Sequence, residues 1–149
     1  MELNLAGKHL LMTGASKGIG YENALSFARE GCQITPASRR MEALERAAAM
    51  LHSQTGATIH SHAADLSSDK DRAHLFDALP KIAPLVNDAG AIQSSPMSAC
   101  SMEDWRTGFE LRVWGYIHLC MLYAPAMRAR GSGTIVNIIG MGGRAMRSS

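Results

Sequence analysis

Short apolar runs alternate along the chain with longer stretches in which apolar side chains recur every three or four positions. Runs near 8–13, 32–38, 58–62, 83–87 and 134–139 have the length and composition of buried strands. Helical spacing fills 18–30, 40–53, 69–78 and 102–129 between them. Strands alternating with helices in this way predict an α/β fold built on one parallel sheet, with helices covering its faces. Pro36 lies inside the second run, where it deletes a ladder hydrogen bond from a strand that should be internal. Neither an internal repeat nor a low-complexity linker interrupts the pattern.

The stretch 102–129 departs from ordinary amphipathicity, because Leu111, Trp114, Ile117, Leu119, Met121 and Tyr123 between them leave almost no polar face. A helix apolar all round is buried all round. One side is expected on the sheet, and the other needs a further part of the fold or a second subunit. His118 within it reads as a satisfied core or interface histidine.

Composition narrows the classes. With 149 residues, 46% of them hydrophobic, the chain is one domain, and a formal charge of +2 points to neither nucleic acid nor an anionic membrane surface. No stretch approaches the ~20 apolar residues of a membrane span, and the start Met-Glu-Leu-Asn-Leu has no secretory pattern. Cys32, Cys100 and Cys120 fit neither a disulfide framework nor a metal site, so they read as reduced, buried thiols and the expected location is cytoplasmic. The ten methionines, scattered through all elements, read as core filler.

The chemistry begins at Thr13-Gly14-Ala15-Ser16-Lys17-Gly18-Ile19-Gly20, directly after the first strand and at the start of the first helix. Glycine is needed where backbone approaches a pyrophosphate, and the helix N-terminus then points free N–H groups at the anion. That helix is expected to close at Gly31. His60 and His62 share a strand face, but with no third ligand except Asp65 they do not make a metal site.

With these elements in place, the chain resembles the short-chain dehydrogenase/reductase family over essentially its whole length. The glycine loop, Ala64-Asp65-Leu66, Leu85-Val86-Asn87-Asp88-Ala89-Gly90 and Ile135-Val136-Asn137-Ile138 carry the match, in the family's order. The resemblance implies a Rossmann-type doubly wound sheet of order 3-2-1-4-5, truncated after the fifth strand, with residues 1–139 forming the cofactor-binding domain and 140–149 a flexible tail. It implies that Gly14, Ser16, Gly18 and Ile19 line the pyrophosphate and nicotinamide, that Gly20 permits close helix packing, and that Asp65 and Leu66 meet the adenine. Asn87, Ala89 and Gly90 would border the adenosine ribose.

Cofactor choice follows from charge. The second strand ends Ala37-Ser38-Arg39-Arg40, with no carboxylate to take the ribose hydroxyls of NAD, whereas Arg39 offers a fork for a 2′-phosphate, Ser38 a hydroxyl and Lys17 a second cation. The expected cofactor is NADP, and the expected activity is hydride transfer between its nicotinamide and a carbonyl or alcohol substrate.

The catalytic half departs from the family. Its reductases use a Tyr and, four residues on, a Lys, but the residues four after Tyr21, Tyr116 and Tyr123 are Leu25, Cys120 and Met127, and no lysine follows Lys81. Arg112 and Gly140 stand where the family has its Asn and Ser. Arg112 either snorkels its stem or anchors an oxyanion or acidic substrate. Asp88, where a second Asn is usual, keeps the acceptors and loses the amide donors. A divergent relative without the usual chemistry, a nucleotide-binding scaffold or subunit, and a fragment of a longer reductase all fit these departures. An uncovered fifth strand and a bare apolar helix predict a homo-oligomer with 105–123 at its interface.

Overall fold

In a computed structural model, which describes residues 4–90 and 97–139, five parallel strands lie in the order β3-β2-β1-β4-β5. The elements run β1 (His9–Thr13), α1 (Gly18–Arg29), β2 (Gln33–Ser38), α2 (Met41–Thr55), β3 (His62–Ala63), α3 (Asp69–Ala78), β4 (Leu85–Asn87), α4 (Met102–Phe109), α5 (Gly115–Ala129) and β5 (Ile135–Asn137). The expected doubly wound topology is the one observed.

Strand periodicity sorts the core into two layers, since successive side chains of β1 point to opposite faces. Leu10 and Met12 join Ala24, Ile34, Leu51 and Val86 under α1 and α2. Leu11 joins Leu66, Leu75, Leu85, Leu119 and Tyr123 under α3 and α5. Leu10, Leu11 and Met12 are each fully buried, as a continuous apolar run in a parallel strand requires.

The third strand is shorter and later than the pattern predicts. Even-numbered residues of β2 turn their backbone toward β3: Ile34 donates to Thr58 and accepts from His60, and Ser38 accepts from Ala64. Pro36, midway between, has no N–H to donate. Pairing is therefore split into an isolated bridge, Ile34 with Ile59, and the two-residue strand His62–Ala63.

The expected helix 102–129 is also divided. A capping box starts α4, in which Ser101 accepts from the Asp104 N–H while Asp104 accepts from the Ser101 N–H. A π-helical turn, Glu110–Trp114, then joins α4 to α5. Tyr116, Leu119, Tyr123 and Met127 face the core, while Trp114, Ile117 and Met121 stay exposed, Met121 at 68%. The uncovered half of the helix is thus present as expected. Cys32 is buried as predicted, but Cys100 and Cys120 are only half-buried. Met41, Met50, Met102 and Met121 are exposed and are not core filler.

Candidate cofactor-binding site

The carboxyl ends of β1, β2 and β4 converge at one rim of the sheet. Gly14 follows β1 with φ +75°, a left-handed conformation that glycine adopts without strain. A Cβ there would stand 2.9 Å from the Cα and N of Ala89, so the loop fits against the β4 exit only with glycine. At Gly20 a Cβ would meet the Gly14 carbonyl at 2.7 Å and the Asp88 carboxylate at 2.8 Å. Gly18 faces open space.

Helix α1 begins at Gly18 with Lys17 as its N-cap in extended conformation; the Lys17 side chain makes no cap, the first turn contains no acidic residue of its own, and the Asp88 carboxylate takes the Gly20 N–H. Ile19 projects into solvent at 66% exposure, and Lys17 and Gly18 are exposed with it.

Two features of the rim escape the sequence patterns. Thr13 is fully buried and its hydroxyl accepts the N–H groups of Asp88 at 2.9 Å and Ala89 at 3.1 Å, locking the β4 exit to β1. Asp88 accepts from the Gly20 N–H, and burial raises its pKa above the ordinary carboxylate value against the opposing pull of Arg112 and that hydrogen bond. A carboxyl raised in this way favours the fold at low pH, and the advantage is lost as pH rises through its folded value. Asp88→Asn keeps an acceptor for Gly20 without the buried charge. Its melting temperature should therefore exceed that of the wild type at pH 7, with the gap closing toward pH 4, as scanning calorimetry at the two pH values would read.

At the second strand, Ser38 is half-buried and Arg39 exposed. The Ser67 hydroxyl, which donates to Asp65 Oδ1 at 2.7 Å, holds the Asp65 carboxyl below its usual range, with smaller contributions from the Ser67 N–H, Arg39 and Arg72. Two residues expected at the ligand are used elsewhere. Leu66 is buried in the core beneath α5 and its carbonyl accepts from Arg72, so its side chain does not flank a ring in the cleft. Asn87 is fully buried and donates to Asn137 at 2.8 Å, tying β4 to β5 rather than bordering a ribose with its amide. Ala89 is buried and Gly90 half-buried.

Arg112 does not reach for solvent. It folds back over the end of β4, where Nη2 donates to the Gly90 carbonyl at 2.5 Å and the stem occupies the space of a Gly90 Cβ. Burial pushes the neighbouring Tyr116 phenol up to about 12, against the pull of Arg112, so the phenol stays protonated at neutral pH. Gly140 and the tail 140–149 lie outside the described residues. His60 stacks edge-on against His9, and among the described residues no group of three or more His, Cys, Asp and Glu is placed to hold a metal ion. Among those residues, too, no helix is long and apolar enough to cross a membrane.

Known proteins share this arrangement. The profile of the short chain dehydrogenase family matches residues 8–148. The chain belongs to that family. The 7alpha-hydroxysteroid dehydrogenase of Escherichia coli is 33% identical over 143 residues, covering 93% of this chain and 55% of the enzyme. An uncharacterised oxidoreductase of Bacillus subtilis is 32% identical over 141 residues, covering 93% and 53%. A solved 7α-hydroxysteroid dehydrogenase complexed with NADH and a 7-oxo bile acid superposes with a TM-score of 0.88 at 31% identity, over 98% of this chain and 58% of that one. L-Sorbose reductase from Gluconobacter frateurii, complexed with NADPH and L-sorbose, gives 0.82 at 30% identity, over 92% and 54%. The chain spans about half the length of the curated relatives it matches.

Proposed function

We propose that this chain is the NADP(H)-binding part of a cytoplasmic short-chain dehydrogenase/reductase acting on a carbonyl or alcohol substrate. Family members bind nicotinamide cofactors, and the two solved relatives above hold NADH in one case and NADPH in the other. The observation that favours the phosphorylated form is the end of β2, where exposed Arg39 follows half-buried Ser38 with no carboxylate in the turn. Lys17 at the N-cap of α1 adds positive charge to the glycine loop.

Each residue has a distinct task in this reading. Gly14 and Gly18 keep the loop low, the N–H groups of Gly18 and Ile19 at the start of α1 take the diphosphate, and Arg39 and Ser38 take the 2′-phosphate. Asp65, partly exposed beyond β3, presents an acceptor to the adenine amino group. The bound nicotinamide supplies the hydride. The thiols of Cys32 and Cys120, outside any disulfide, suit a reducing compartment.

Arg39→Ala should weaken NADPH binding about 10- to 100-fold, the worth of a charge-assisted phosphate contact, and leave NADH binding within about twofold. Fluorescence titration with both nucleotides measures this, and equal losses for the two would refute the assignment.

Arg112, which stands where the family has an Asn and folds back over the end of β4, favours a second reading, a nucleotide-binding scaffold or subunit without turnover. NADPH consumption across a panel of ketones separates the two readings. Either form is a homo-oligomer in this account, joined through the exposed apolar side of α4 and α5.

A further inference from the structure

Buried polar side-chain atoms in a folded protein have hydrogen-bond partners, and each exception calls for an explanation. Among the described residues the exceptions are Asn87 Oδ1, Arg112 Nε and Tyr116 OH. They belong to one place, the joint between the carboxyl end of β4 and the helical backbone that runs from the π-helical turn into α5. Arg112 and Tyr116 stand four residues apart on that backbone and so share a face of it. Tyr116 is 8% exposed, and its phenol, protonated at neutral pH, has a hydrogen to donate. Arg112 is half-buried and carries a full positive charge, yet among the described residues no carboxylate comes within ion-pair distance of it. Asp88 attracts it from farther away and is itself engaged with the Gly20 N–H. The fully buried guanidinium of Arg72 is by contrast paired with Asp69 and backed by Glu110.

We propose that Arg112 and the Tyr116 hydroxyl anchor a carboxylate of the substrate, which makes that substrate a carbonyl compound bearing a carboxylic acid. This rests on the cofactor-binding reading above and narrows its substrate class. Position, sign and shape agree. In doubly wound sheets ligands lie beyond the carboxyl ends of the strands, and Arg112 covers that end of β4. A half-buried cation without a paired anion, beside a hydroxyl without an acceptor, offers two donors and a charge. A carboxylate supplies two acceptor oxygens and the opposite charge. The bond from Nη2 to the Gly90 carbonyl holds the guanidinium in place before a ligand arrives, so little side-chain freedom is left to lose on binding. One cation, offset in part by Asp88, suits a monoanion, whereas a phosphate dianion would face the Asp88 carboxylate with charge to spare. Asn87 Oδ1 is an acceptor and takes no part in holding an anion. An anchored carboxylate also fixes how the carbonyl of the same molecule is presented, a contribution of orientation to the rate. The cofactor's diphosphate is the other anion open to this charge, and the variants below separate the two.

The test is a calorimetric titration of the NADPH-loaded chain with pyruvate and with levulinate, each beside its uncharged methyl ester. The acids should bind at least about tenfold more tightly than the esters, the worth of one charge-assisted contact. Arg112→Met should erase that preference while NADPH binding stays within about twofold. Arg112→Lys keeps the charge without the planar fork and should retain part of the preference. Tyr116→Phe removes a single oxygen and keeps the ring packed, so it carries the test even where Arg112→Met fails to fold. It should weaken acid binding about three- to tenfold and leave ester binding unchanged. Acid and ester binding alike, or neither binding, to a chain that holds NADPH overturns the carboxylate anchor and leaves the cofactor reading standing. A tenfold or greater loss of NADPH affinity in Arg112→Met with an unchanged circular dichroism spectrum assigns the charge to the diphosphate and overturns the anchor too. A wild-type chain that binds no NADPH overturns both readings together.

Discussion

Gly14→Ala should lower the free energy of unfolding by about 3 kcal/mol and abolish measurable nucleotide binding. Two costs add. A left-handed φ of +75° costs an alanine roughly 1–2 kcal/mol, and the new methyl would stand 2.9 Å from the Ala89 backbone, which has no rotamer with which to yield. Relieving that contact means moving the loop away from β4, which strains the Thr13 hydrogen bonds to Asp88 and Ala89 and lifts the loop off the anion path. Urea unfolding gives the first quantity and nucleotide titration the second. Gly18→Ala is the control: its Cβ meets nothing within 4 Å, so only the cost of φ +61° remains and its stability loss should be the smaller one, roughly 1–2 kcal/mol.

Arg72→Met should destabilise the fold by about 3 kcal/mol, although no functional pattern marks that residue. Arg72 is a guanidinium with 1% exposure whose nitrogens are all engaged. Nη1 donates to the Leu66 carbonyl at 2.5 Å, Nε to His118 Nδ1 at 3.1 Å, and Nη2 contacts Asp69 and lies 3.6 Å from Glu110. Methionine fills the volume of the stem but leaves the Leu66 carbonyl and the imidazole without their donor. Asp69 and Glu110 can hydrate in compensation, which puts the cost below that of isolating a charge in the core. Chemical denaturation at pH 7 reads the difference. A loss under about 1 kcal/mol would mean that water replaces the guanidinium and that the joint between α3, the π-helical turn and α5 is held by apolar contacts alone.

The sequence showed most clearly what is determined locally. The run Leu10-Leu11-Met12, the glycine loop and the stop at Gly31 each depend on neighbouring residues only, and β1, α1 and its C-terminus lie where the pattern places them. The third strand was not legible because its pairing is decided by a proline in another strand, through a missing N–H that faces β3. The π-helical turn was invisible because one extra residue in a turn leaves the apolar spacing of 102–129 nearly unchanged.

Within the site, backbone roles were readable and side-chain roles less so. The steric demands at Gly14 and Gly20 follow from the motif. The directions of Leu66 and Asn87 depend on α5 and β5, which lie far along the chain. The Thr13 lock and the Arg112 cover over Gly90 depend likewise on contacts between residues 22 or more positions apart. Arg72 reads as surface charge in any linear pattern, and only the fold shows it surrounded.

The central claim is that the rim formed by the glycine loop and the end of β2 holds NADP(H). Calorimetric titration of the 149-residue chain with NADPH and, separately, NADH tests it most directly. The account predicts one NADPH per chain, bound at least about tenfold more tightly than NADH, the worth of one phosphate contact. Preference for NADH, or heat from neither nucleotide, would contradict it.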